Sequence, residues 1–158
     1  MSIIDYLPGI SNAYWQDYVK TITPQTAVAL QPGQKNYMLI PDDLVDKRGL
    51  ILEFGLFCNS SSLEFTVVID SRKISGLISY FYSGGYTSYV PDIPWISRYD
   101  TTNNSYAINL DGEIPFRHNV YVYASNPSTS AILISGMAFH AVVFNEGFYG
   151  AIAKLKQS

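Results

Sequence analysis

The chain has 158 residues, 47% of them hydrophobic and 15% charged, with a net charge of −3. That length suits one domain whose core needs no disulfide or metal staple, and that hydrophobic content excludes a disordered chain. An acidic balance disfavours nucleic acid as the main partner, because phosphate binding needs clustered Lys and Arg, and no run approaches 18 apolar residues, so no membrane span is expected.

Met1 to Asp5 lacks the basic start and apolar stretch of a secretory signal, so a soluble protein without a signal peptide is expected. Residues 1–23 read as an N-terminal arm. Within it Ala13 to Lys20 can form a short helix capped by Ser11 or Asn12, with Pro8-Gly9 before it and Pro24 after it. Its aromatics Tyr6, Tyr14, Trp15 and Tyr18 exceed what a solvated helix needs. Two readings stay open: a flap packed on its own core, or an arm docked on a neighbouring subunit.

Residues 24–146 read as a β-sandwich domain. Thr26 to Gln31 and Tyr37 to Ile40 flank the Pro32-Gly33 turn signal and predict a first hairpin. Leu50 to Cys58 places Leu50, Leu52, Phe54 and Leu56 on one face, with Ile51, Glu53, Gly55 and Phe57 on the other. Leu63, Phe65, Val67 and Ile69 alternate with Glu64, Thr66, Val68 and Asp70. This period of two buries one face of a strand, and Asn59 to Ser62 is expected to join the two strands as a hairpin. Cys58, the single cysteine, excludes an intrachain disulfide and reads as a buried, inert thiol.

Ile74 to Tyr82 is expected as a strand interrupted at Gly76, and Tyr86 to Val90 as its continuation after the Ser83-Gly84-Gly85 turn. Pro91 and Pro94 then forbid central-strand pairing. Tyr106, Ile108 and Leu110 alternate with polar neighbours up to a turn at Asp111-Gly112, and Val120, Val122 and Ala124 form the next strand. Along Ala131 to Phe144 the apolar phase slips at Gly136, the mark of a β-bulge or of a strand crossing between sheets. Residues 147–158 read as a C-terminal tail. The sum is an all-β fold, a jelly-roll-like β-sandwich, with Leu52, Phe54, Phe65, Val67, Ile108 and Val122 in its core.

The chemistry-bearing residues do not assemble into a reactive constellation. His140 lies in an apolar run and reads as structural, and His118 sits beside Arg117, which opposes a cationic imidazole. No zinc spacing, nucleophile elbow or phosphate-binding glycine loop occurs. Asp42-Asp43 and Asp111-Gly112-Glu113 read as turn formers rather than as the carboxylate pair of a glycosidase. No catalytic residue, metal or cofactor is expected, and the chain does not read as an enzyme.

The most informative stretch is residues 74–153. Its eighty residues hold seven charged side chains (Asp92, Arg98, Asp100, Asp111, Glu113, Arg117 and Glu146) and nine tyrosines, where about a quarter charged is usual. Tyrosine offers large contact area with few rotors to freeze, which suits interfaces. The candidate interface residues are therefore Tyr14, Trp15, Tyr18, Tyr80, Tyr82, Tyr86, Tyr89 and Trp95. For the segment from Tyr80 to Trp95, a contact surface and a minicore beneath a long loop both remain open.

Arg98-Tyr99-Asp100-Thr101, Tyr106-Ala107-Ile108, Pro115-Phe116 and the run Val120 to Asn126 carry Tyr-, Asn- and Ser-rich strands joined by polar loops. This texture resembles the structural proteins of bacteriophages and other viruses. The resemblance implies a virion structural subunit, a capsid, decoration or tail component. It would form a homo-oligomer, dock on other virion structural proteins and reside in the virion. The alternative is a carbohydrate-binding or receptor-binding module that takes a host-surface glycan, with Tyr86, Tyr89, Trp95, Asn103 and Asn104 as its first candidates.

Overall fold

A computed structural model describes residues 15–144. Tyr6, Tyr14 and the tail expected over 147–158 lie outside the described residues. The strands in chain order are β1 (Trp15–Ile22), β2 (Val28–Leu30), β3 (Tyr37–Ile40), β4 (Arg48–Cys58), β5 (Glu64–Ile69) and β6 (Arg72–Leu77). A short helix α1 (Ile78–Ser83) follows, then β7 (Trp95–Asp100), β8 (Ser105–Phe116), β9 (Val120–Ser125) and β10 (Ile132–Phe144).

These elements build an all-β sandwich of two antiparallel sheets. One sheet runs β1-β10-β4-β8-β7, with β2 also paired to β10, and the other runs β3-β9-β5-β6. Their inner faces meet in a single apolar layer in which Phe54 of one sheet stacks on Phe65 of the other at 5.3 Å. Phe54, Phe65, Val67, Ile108 and Val122 are all buried to 1% exposure or less, as their alternation requires.

Leu52 is half-buried, which departs from the single inward face expected of β4. It is skipped in both ladders: Ile51 pairs Ala141 and Ile114, and the next paired residue is Glu53, opposite His140 and Asp111. This bulge turns the strand over. Ile51 therefore faces inward before it, and Phe54, Leu56 and Cys58 face inward after it. The Asp111-Gly112 turn is corrected by the same feature. β8 continues unbroken to Phe116, with Gly112 at φ 141°, a value that favours glycine, opposite the bulge. The phase slip at Gly136 is a second register shift, between Ile134 and Gly136 against β4.

Three further expectations are corrected. Of the residues expected as a helix before Pro24, those from Trp15 to Lys20 lie in β1, which pairs with β10 over its whole length from Trp15↔Phe144 to Ile22↔Met137. Neither expected hairpin exists: β2 pairs β10 while β3 pairs β9, and β4 and β5 lie in different sheets. The links Gln31 to Asn36 and Asn59 to Leu63 therefore carry the chain from one sheet to the other. Finally, the strand expected through Tyr82 ends at Leu77 and becomes α1, and no strand forms over 86–90 beyond an isolated bridge between Val90 and Ile93.

Buried polar groups fix the crossings. Asn126 is fully buried; its amide donates to the carbonyls of Leu30 (3.0 Å) and Ser130 (2.8 Å), and its Oδ1 accepts from the Ser128 N–H and hydroxyl. Its backbone also bonds Gly33 and Gln34. At the opposite end Asp70, at φ 55°, accepts from the backbone N–H groups of Arg117, His118 and Asn119. Burial works against its charge, but these three donors outweigh it and hold the carboxyl below the usual carboxylate value.

Candidate interaction surface

The segment from α1 to the start of β7 spans the open side between the two sheets, touching β6 and β7. Its backbone is tied to the β4–β5 crossing, where Ile78 N–H donates to Leu63 and Ser79 N–H to Ser61. Ile78 is fully buried and Phe81 packs half-buried on the core. The other side of the same short element faces out. Tyr80 is 68% exposed, Tyr82 44%, Tyr86 45% and Tyr89 54%, with Val90 and Ile93 beside them. The two open readings of this segment thus divide by residue: two aliphatic and aromatic anchors go to the core, and four tyrosines to the surface.

Ring contacts within the chain hold three of these tyrosines in place. Tyr82 stacks on Tyr99 at 3.8 Å with an interplanar angle of 8°, and Tyr99 meets buried Tyr106 edge-on. Tyr86 meets Phe81 edge-on, and Tyr89 meets Trp95 edge-on. Trp95 is half-buried, and its indole N–H donates to Asp111 at 3.2 Å. Rigid rings lose little freedom on contact, which favours binding.

The remaining interface candidates do not join this group. Trp15 and Tyr18 lie on β1, at the opposite edge of the six-stranded sheet from β7, about 19 Å away at the usual strand spacing. Tyr18 is engaged within the chain: its hydroxyl donates to Asp43 at 2.9 Å and its ring meets Phe139 edge-on. Burial and the Asp43 carboxylate both push its phenol well above the ordinary value. Trp15 is half-buried, with its indole nitrogen buried and without a partner among the described residues. Tyr14 lies outside the described residues. Asn103, considered for glycan contact, donates its amide to Asp100 within the β7–β8 turn.

Sequence reasoning missed a second feature, on the outer face of the six-stranded sheet. Glu53, Gly55 and Phe57 of β4, Asn109 and Asp111 of β8, and Gly136 and Ala138 of β10 surround a depression of about 370 Å³. Its signal in the sequence was Phe57, a large apolar ring on the polar face of β4, facing the small residues of β10.

The groups with reactive potential are held structurally. Cys58 is buried and its thiol donates to the Ser60 carbonyl; burial pushes it up to about 11, so it carries little thiolate. His140 bonds Asp17 across the β1–β10 ladder at 2.7 Å. Among the described residues no three His, Cys, Asp or Glu side chains are placed to share a metal ion, and no helix is long and apolar enough to cross a membrane. No protein-family model matches this sequence, and no curated protein matches it.

Proposed function

We propose that the chain is a non-enzymatic virion structural subunit that self-associates and docks on neighbouring virion proteins. Two features support this reading. One is the strand order β2-β10-β4-β8 facing β3-β9-β5-β6, which we read as jelly-roll-like, an architecture common in viral coats. The observation that carries the reading is the exposed tyrosine group at Tyr80, Tyr82, Tyr86 and Tyr89, three of which are braced by ring contacts within the chain. Around it few charges keep copies apart. Buried aromatic area contributes about 25 cal/mol per Å² before orientational and desolvation costs are subtracted. Light-scattering mass at micromolar concentration tests the reading: an oligomer that dissociates when these tyrosines become serine supports it. A monomer that also fails to bind any protein of its source assembly refutes it.

A second reading, a carbohydrate-binding or receptor-binding module, is favoured by one observation: the depression on the outer face of the six-stranded sheet. Retention on a glycan array, with self-association absent, would select it over the first.

A further inference from the structure

The ladders set out that depression row by row. Gly55 sits between Ala138 and Asn109, Glu53 between His140 and Asp111, and Phe57 between Gly136 and Ala107. The floor is therefore glycine and alanine, and its walls are the longer side chains at either end. At one end Phe57 stands 46% exposed. It leans over Gly136, where an added Cβ would lie 3.5 Å from the Phe57 ring. On the β8 side, the Asn109 side chain lies over Gly55, with Oδ1 2.9 Å from where a Cβ would be. Any larger residue at 55 would displace that amide.

The polar groups here are largely uncommitted within the described residues. Among the described residues neither Glu53 nor the Asn109 amide makes a side-chain hydrogen bond, and Asp111 commits one oxygen to Trp95 and keeps the other. Glu53 and Asp111 face each other directly across two strands, an arrangement of like charges that costs stability. His140, opposite Glu53 on its other side, is taken by Asp17. A like-charged pair aimed into a small-floored hollow is what a ligand rich in hydroxyl donors relieves.

We infer that this depression binds a neutral saccharide, one pyranose ring laid against Phe57 and its hydroxyls held by Glu53, Asn109 and Asp111. The inference deepens the carbohydrate-binding reading and rests on it. The donor and acceptor inventory selects the class. Two carboxylates accept only, and the amide both donates and accepts, which matches a polyol whose hydroxyls do both. An anionic sugar or a phosphate is repelled by the two carboxylates. An apolar ligand would bury them unpaired. A lysine or arginine side chain satisfies the carboxylates but offers no acceptor to the Asn109 amide. The volume suits one or a few rings, at the small end of ligand sites, with few polar groups on a largely apolar lining.

The test uses the full chain on an array of neutral, sialylated and sulfated glycans, followed by titration of the best neutral ligand and of a lysine-rich peptide. Three variants accompany it: Ala138→Phe, which fills the hollow from an exposed position, Phe57→Ala, and Asn109→Ala. The inference predicts retention of neutral glycans and weakening of about tenfold or more in each variant at unchanged melting temperature. Tyr86→Ser and Tyr89→Ser should bind like the parent. Glycan binding that survives Ala138→Phe overturns this site while leaving a carbohydrate-binding module in place. Preference for the basic peptide or for anionic glycans overturns the ligand class. Retention of no glycan at all overturns both the site and the reading beneath it.

Discussion

Two stacked ring pairs in this molecule contrast. Phe54 and Phe65 stack at 5.3 Å between the sheets, each 1% exposed or less. Tyr82 and Tyr99 stack more closely, at 3.8 Å, but Tyr82 is 44% exposed. The first pair removes apolar surface from water and fastens one sheet to the other. In the second, Tyr99 rests on buried Tyr106 while Tyr82 stays exposed, so the outer ring adds little to folding and remains available for contact. Ring contact alone therefore does not identify a core; where the far face of the ring points does. The same division runs through α1, with Ile78 inward and Tyr80 outward.

The sharpest break of this contrast is truncation of the inner pair. Phe65→Ala should lower unfolding free energy by about 3–5 kcal/mol, read as a shift in the urea midpoint at constant slope. A small change there would mean that the two sheets are not fastened through Phe54 and Phe65. Asn126→Ala is the polar counterpart. It strips a partner from the carbonyl of buried Leu30 and from that of Ser130 and should cost about 1–3 kcal/mol, by the same denaturant measurement.

Acid should act more locally. The folded-state value of Asp70 lies below its unfolded one, so its contribution is present above the unfolded value near pH 4 and is lost as pH falls through the depressed folded value. Amide exchange at Arg117, His118 and Asn119 should accelerate in that acid window, and Asp70→Asn should remove the dependence. The smallest effect on folding belongs to the outer rings. Replacing Tyr80, Tyr86 and Tyr89 singly by serine should move stability by about 0.5 kcal/mol or less each, seen as near-constant melting temperatures.

Alternation made much of the sandwich legible. It placed β4, β5, β8, β9 and β10 and five of the six proposed core residues, because a period of two states which face is buried. It does not state which strand lies alongside. The β4–β5 hairpin failed for that reason: Asn59 to Ser62 looks like a hairpin loop, yet the chain uses it to cross to the other sheet. Leu52 failed because a bulge adds one residue without a glycine at that position to announce it. α1 was hidden by Ile78, Tyr80, Phe81 and Tyr82, residue types that favour strands, whose local preference is overridden by the anchoring of Ile78 beneath the crossing. At β1, Trp15, Tyr18 and Ile22 are the partly buried positions. Their spacing is close to helical because an edge strand is covered only in part. Composition announced the tyrosines but left open whether they face outward, and the sheet-face depression needed neighbours that only the ladder supplies.

The central claim is that the outward tyrosines at Tyr80, Tyr86 and Tyr89 serve association rather than folding. Sedimentation velocity on the parent chain and on the triple serine variant, at matched micromolar concentrations and with melting curves recorded on the same samples, tests it most directly. The account predicts an oligomer for the parent and a monomer for the variant, with melting temperatures within about 3 °C of each other once concentration is matched. An oligomer of unchanged mass in the variant, or a collapse of its melting temperature, would contradict it.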